Sequence, residues 1–304
     1  MKQGNRTALT SAFSRAFHEA YNTPRIFDDP IAKLLLSEEE YSEIGRNMAQ
    51  GILFFNPGFS GDEQAALRWI VEQYLAPSPL GRAAFAEQSL CTAVDSGALQ
   101  YLIFGAGYDS FAYRQPFWAD RLHIFEIDLP SMILDKQQRL SRARIPLPRN
   151  LAFVSADLTN TSWRTALLSC PSFCRSHRSF CSLLGLSYYI GVEKLRALLL
   201  EICGLVPSGS QVAFDYPDEN SHTPQAGERA KKQVMLAAAA GEPMQPGMSS
   251  GELETLLAEC GFRICENLTP SDITARHFSR YNAAHPAHPM TAFDNVNYCL
   301  AVKK

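Results

Sequence analysis

Residues Gly105–Arg114 read GAGYDSFAYR, and they follow the apolar run Tyr101-Leu-Ile-Phe104. A short apolar run closed by a glycine turn is the pattern of a buried strand. A strand that runs into Gly-x-Gly is how Rossmann-type sheets make room for a nucleotide cofactor. Gly105 and Gly107 lack a Cβ, so the backbone at this turn can come close to a ligand. Two features separate the loop from a dinucleotide fingerprint. Its sixth position is Ser110 rather than glycine, and Asp109 stands beside the place a pyrophosphate would take. A carboxylate there repels phosphate and suits a ligand carrying positive charge. S-adenosylmethionine carries an ammonium and a sulfonium and no phosphate, so the loop favours that cofactor over NAD.

The next strand, His123–Ile127, runs into Glu126-Ile-Asp128-Leu-Pro130. Glu126 and Asp128 stand 21 and 23 residues beyond Gly105, near the roughly 20-residue offset at which an acid meets a ribose hydroxyl. A third strand, Leu151–Ala156, ends in Asp157-Leu158. Acids after successive strands line one edge of a sheet, as a cofactor groove requires. Each signal has a plainer reading. Asp128 and Asp157 are good helix N-caps, and Gly105 with Gly107 makes a tight turn with or without a ligand.

The bulk properties narrow the class. The 304 residues, 46% of them hydrophobic, suffice for one large core or a core with a helical annex. A net charge of −3 and the lack of a polybasic stretch argue against nucleic acid and anionic membrane as partners. The start, MKQGNRTALTSAF, lacks a signal-peptide core, and no apolar run reaches transmembrane length. A cytoplasmic protein, monomeric or homodimeric, is expected. The eight cysteines form no C-x-x-C pair, which predicts reduced thiols and no metal site.

Residues 1–98 are expected to form a helical segment. Phe13 and Phe17 share a helix stripe, and Asp28-Asp29-Pro30 opens a helix. A helix over Glu63–Leu75 is broken by Pro77-Ser-Pro79, and another spans Gly81–Gly97. Residues 99–304 form the cofactor-binding core, with strands at 100–104, 123–127, 151–156, 179–184 and 210–215. A helix over Val192–Cys203 meets a stop at Gly204. The stretch 217–250, with a helix near 225–240, is expected to be a lid and acceptor region. Ser249 and Glu252 form a capping box for a helix over Glu252–Cys260 that Gly261 stops. Strands at 262–268 and 295–302 close the pattern, the last arriving late and antiparallel. The fold class is α/β: a Rossmann-like, seven-stranded, mostly parallel sheet with helices on both faces.

These residues resemble the leucine carboxyl methyltransferase family, which includes polyketide O-methyltransferases. The marks are Arg25-Ile-Phe-Asp-Asp-Pro-Ile-Ala32, Arg82-Ala-Ala-Phe-Ala-Glu87, Gly105-Ala-Gly-Tyr-Asp109 with Arg114, Phe125-Glu-Ile-Asp-Leu-Pro130 with Lys136, and Asp157-Leu158. The resemblance implies a class I fold and S-adenosylmethionine as methyl donor, leaving S-adenosylhomocysteine. It implies that Arg82 pairs with the cofactor carboxylate; the plainer reading is an ion pair with Glu87. It implies that Gly105, Ala106 and Gly107 shape the floor, that Asp128 with Glu126 holds the ribose or adenosine, and that Asp157 and Leu158 meet the adenine. Asp109 and Arg114 stand either behind the cofactor or in a structural salt bridge. In members that methylate a protein C-terminus, the fourth strand carries a glutamate before the glycine of Leu184-Gly185. Here Leu184 holds that cofactor-side place, which favours a small-molecule acceptor with a carboxylate or hydroxyl oxygen. Tyr188 and Tyr189 either line the acceptor pocket or pack at the strand end. Five histidines (His18, His222, His277, His285 and His288) are candidate bases, with none singled out. The alternatives are a carboxyl methyltransferase of a protein or peptide C-terminus, a Rossmann oxidoreductase, and a non-catalytic S-adenosylmethionine-binding protein.

Overall fold

A computed structural model describes residues 6–304. The strands are β1 (Gln100–Phe104), β2 (His123–Asp128), β3 (Leu151–Ser155), β4 (Ser179–Leu183), β5 (Gln211–Pro217), β6 (Phe262–Leu268) and β7 (Val296–Lys303). They form one sheet in the order β3-β2-β1-β4-β5-β7-β6. β1 to β5 are parallel, and β7 lies antiparallel between β5 and β6. Every expected strand forms, with ends shifted by at most two residues, and the late antiparallel strand is in place.

The helices before the sheet are α1 (Arg6–Tyr21), α2 (Glu38–Gln50), α3 (Ile52–Phe55), α4 (Glu63–Ile70) and α5 (Pro77–Asp95). Within and after it come α6 (Pro130–Arg142), α7 (Ser162–Leu168), α8 (Ser187–Leu205), α9 (Glu228–Ala239), α10 (Ser250–Glu259), α11 (Pro270–Ile273) and α12 (Ser279–Ala284).

β1 is buried on both faces, so its side chains divide by pleat. Leu102 and Phe104 join Trp163 of α7, Leu199 of α8 and Leu257 of α10 in one core. Tyr101 and Ile103 join Phe85 of α5, Phe111 and Tyr298 in another. Two covered faces suit a parallel sheet, whose strands read as continuous apolar runs. A third core sets Phe13 and Phe17 of α1 and Leu80 of α5 against Tyr108 of the glycine loop and Met132 of α6. The N-terminal helices therefore sit directly on the loop that decides the fold.

Three local expectations change. Pro77-Ser-Pro79 begins α5 rather than separating two helices, because a first-turn proline has no N–H that the helix needs. The helix from Glu63 widens into a π turn over Val71–Leu75. Gly204 lies within α8, which ends at extended Val206; the interruption falls instead at Gly191, with φ 73°. The capping box forms: Ser249 Oγ accepts from the Glu252 amide and Glu252 Oε2 from the Ser249 amide. Ser249→Ala is expected to lower unfolding stability by about 1 kcal/mol, measured by denaturant titration.

The chain winds outward from β1 through β2 to β3, then crosses back to β4. Such a reversal opens a crevice beyond the C-terminal ends of β1 and β4. Gly105 follows β1, Asp128 ends β2 and Gly185 comes two residues after β4, all at this crevice.

Candidate active site

A cavity of about 850 Å³ fills the crevice. Gly105 and Gly107 form part of its wall, at φ 66° and 47°, in the left-handed region that favours glycine. The Gly105 amide donates to the Ile127 carbonyl at 2.9 Å, tying the loop to β2. The Gly107 amide donates to Asp128 Oδ2 and the Leu129 amide to Oδ1, each at 2.7 Å. These bonds fix the Asp128 carboxylate on the cavity wall. Burial pushes its pKa up, and the two amides work against that push. Asp128 is not a helix cap, since α6 starts at Pro130 after an N-cap, Leu129, with no side-chain bond.

Arg82 of α5 lines the cavity too, beside Gly185. Gly185 has φ 69°, and a Cβ there would collide with the Arg82 guanidinium. Beneath them sits Asp215, two residues before the end of β5 and fully buried. Its carboxylate accepts from the Gly185 amide at 2.6 Å and the Tyr188 hydroxyl at 3.0 Å, and Arg82 Nη1 lies 3.4 Å away. Burial opposes the charge on Arg82, and Asp215 outweighs it, raising the guanidinium pKa. Among the described residues this is the one hydrogen bond Arg82 makes to protein, which leaves most of its N–H fork for a ligand.

Of the residues singled out in the sequence, the cavity gathers Arg82, Gly105, Ala106, Gly107, Asp109, Arg114, Asp128, Leu184 and Tyr189. Tyr188 lies beneath the wall. Burial first, then Asp215, pushes its phenol well above the ordinary range. Asp109 Oδ1 accepts from the Phe111 amide at 2.9 Å and makes no bridge to Arg114. Arg114 instead pairs with Glu87 and lies 3.6 Å from Asp29. Glu87 is therefore the partner of Arg114 and not of Arg82.

Glu126 corrects the expectation of direct ligand contact. It sits two residues before the end of β2, fully buried and off the cavity wall. Lys136 Nζ lies 2.6 Å from it, and the Tyr113 hydroxyl donates to it at 3.1 Å. Burial pushes its pKa up to about 7 although Lys136 pulls the other way. Asp157 and Leu158 also lie off the cavity wall, at the end of β3 on the same sheet edge as Asp128. The Ala156 amide donates to the Asp128 carbonyl at 2.8 Å. Asp157 Oδ1 accepts from the Thr159 amide and hydroxyl, which hold its carboxyl below the usual range. It caps no helix, since α7 starts only at Ser162.

The cavity also draws in residues that local sequence reading passed over. Arg15 of α1 bonds Asp29 at 2.8 Å and the Tyr108 carbonyl at 2.7 Å, fastening α1 to the glycine loop. Burial opposes ionisation of Asp29, but Arg15 and Arg114 outweigh it and hold its carboxyl low. Glu242 and Gln245 reach the cavity from the stretch after α9. An acid at the expected end of the fifth parallel strand was the available signal for Asp215; Arg15 had none, because its bond to the Tyr108 carbonyl spans 93 positions of the chain. No helix of the described residues is long and apolar enough to cross a membrane.

The sheet order and its crevice are those of a class I methyltransferase. Over residues 8–203 the chain matches the family model described as leucine carboxyl methyltransferase, and it belongs to that family. The Bacillus subtilis protein named "Putative S-adenosyl-L-methionine-dependent methyltransferase YktD" is 39% identical over 303 residues, 98% of this chain and 97% of its own. A Parafrankia protein named in the same terms is 29% identical over 210 residues, 69% of this chain and 62% of its own. The crystal structure of a "duf574 family protein" from Streptomyces avermitilis shares the fold, with TM-score 0.59 and 15% identity over 86% of this chain and 97% of that one. The chain is a methyltransferase that depends on S-adenosylmethionine.

Proposed function

We propose that the protein transfers the methyl group of S-adenosylmethionine to an oxygen of a small-molecule acceptor. The observation that carries the reading is a single cavity with a guanidinium at one wall, an oriented carboxylate at another and a glycine turn among its lining residues. Arg82 would take the cofactor carboxylate with its uncommitted N–H fork, a charge-assisted contact. Asp128, held by the Gly107 amide, would accept from the ribose hydroxyls. Asp157 and Leu158, further along the same edge, are the residues an adenine beyond that ribose would meet. Glu126, on the same strand, holds Lys136 and Tyr113 and would make no direct contact with the cofactor. The bound cofactor supplies an electrophilic methyl on a positive sulfur; the protein supplies alignment and exclusion of water.

An acceptor of small size is supported by Leu184 on the cavity wall, where the resemblance implies a glutamate in members that methylate a protein C-terminus. The stretch 217–250 serves as the lid. The Gln245 amide donates to the Tyr188 carbonyl at 2.7 Å, and the Met248 amide to the Pro217 carbonyl at 3.1 Å, so the stretch is stitched to the sheet edge over the cavity. Calorimetric titration with S-adenosylmethionine, S-adenosylhomocysteine and NAD tests the reading. Both sulfur ligands are expected to bind at micromolar level and NAD not to bind. Asp128→Ala is expected to lose at least about tenfold in affinity. Binding of NAD without the sulfur ligands would sink the proposal.

A further inference from the structure

The cavity's ionic inventory bears on the acceptor. Its four arginines are each met by a carboxylate: Arg15 by Asp29, Arg114 by Glu87 and Asp29, Arg139 by Glu40 and Asp135, and Arg82 by Asp215. Arg82 alone keeps a largely free fork, and the proposed function spends it on the cofactor. The part of the wall above Arg82 is built by the start of α1, the start of α8 and the lid: Thr7, Ser11, Tyr189, Glu242 and Gln245. Among the described residues these five bring hydroxyls, one amide and one carboxylate; the Arg15 guanidinium that bonds Ser11 at 2.9 Å is also committed to Asp29 and the Tyr108 carbonyl.

Glu242 is the charged group of that wall. The Thr7 hydroxyl donates to it, and among the described residues no Lys, Arg or His pairs with it. It sits in a lid that is anchored just after it. His222 Nε2 lies 3.2 Å from the Met244 carbonyl, and Gln245 is bonded to Tyr188. Two residues later the lid backbone passes so close to Pro217 that only a glycine fits at Gly247. The carboxylate is thus held on the cavity wall that Tyr189 also lines. An anionic acceptor entering there meets like charge with no uncommitted cation among the described lining residues to offset it, which weakens its binding. A neutral hydroxyl meets an acceptor for its proton.

We infer that the substrate is a neutral hydroxyl compound, a phenol or alcohol, and not a carboxylate, and that Glu242 takes its proton. In the transfer the O–H bond breaks and the proton passes to a Glu242 oxygen. The acceptor oxygen forms the new bond to the methyl carbon, and the carbon–sulfur electron pair returns to sulfur. The proton then leaves to solvent through the mouth. The inference rests on the assignment of Arg82 to the cofactor.

The test uses the full chain saturated with S-adenosylhomocysteine and titrated by ligand-observed NMR with 1-naphthol and 1-naphthoate, probes of equal ring size that differ in charge. Naphthol is expected to bind at least about tenfold more tightly than naphthoate. Glu242→Gln is expected to shrink that ratio to about threefold or less, mainly by gain of naphthoate, since it removes the like charge while keeping the shape. S-adenosylhomocysteine affinity should stay unchanged in this variant. Naphthoate binding as tightly as naphthol, binding of neither, or a ratio unmoved by Glu242→Gln overturns the inference. Failure of the underlying reading looks different: Arg82→Ala would then leave S-adenosylhomocysteine affinity intact.

Discussion

Arg82→Ala is expected to weaken S-adenosylhomocysteine binding by about a hundredfold while changing 5′-methylthioadenosine binding by no more than about threefold. The two ligands share the nucleoside and sulfur and differ in the amino-acid arm. An arginine that reads the arm through its carboxylate affects only the ligand that has one. Hydrogen bonds to charged groups contribute about 1.5–3 kcal/mol each, and a fork can make two. The Arg82 side chain is 20% exposed and rests on fully buried Asp215, so water competes with the ligand only in part. The variant also leaves Asp215 without its cation, but the Gly185 amide and Tyr188 hydroxyl still bond it, and the wall should stay in place. Competitive titration of the two ligands reads the ratio directly. Equal losses for both would mean that Arg82 shapes the cavity without touching the arm.

Lys136→Met is expected to lower unfolding stability by about 3–5 kcal/mol, the range seen when one member of a buried ion pair is removed. Lys136 and Glu126 are 1% and 0% exposed, so neither charge can turn to water. The pair also sets a pH dependence. Glu126 has its carboxyl pushed up to about 7 in the folded protein, while an unfolded chain ionises it near 4.3. Between those values the folded state holds more protons than the unfolded one. This group's contribution therefore declines as pH rises from about 4.3 to 7 and is fullest below that window. Glu126→Gln should flatten this part of the stability profile, and Lys136→Met should extend the decline above pH 7. Chemical denaturation at half-unit pH steps measures both.

The frame of the molecule was legible because its signals are local. Tyr101–Phe104 before Gly105, His123–Ile127 before Asp128, and the capping box at Ser249 each declare an element within a few residues. What lay hidden depends on distance through the fold. Spacing from Gly105 put Glu126 and Asp128 almost equally close to the ribose offset. Only the length of β2 separates them: Asp128 ends the strand at the crevice, and Glu126 stops short under Tyr113 and Lys136. Asp215 is invisible as a partner of Arg82 until α5 packs on β5 and brings residues 133 positions apart together. Arg114 was open between Asp109 and a cofactor role, and the turn bond from Phe111 to Asp109 with the approach of Glu87 decided against a bridge between the two. Glu242 stood in a stretch readable as lid or connector, and its place became informative only with the cavity around it.

The most direct test of the central claim is a crystal structure of the protein with S-adenosylhomocysteine. The ligand carboxylate is expected within hydrogen-bond distance of the Arg82 guanidinium, and the ribose hydroxyls at Asp128. A ligand bound elsewhere, or lying reversed with its carboxylate toward Asp128, would contradict the account.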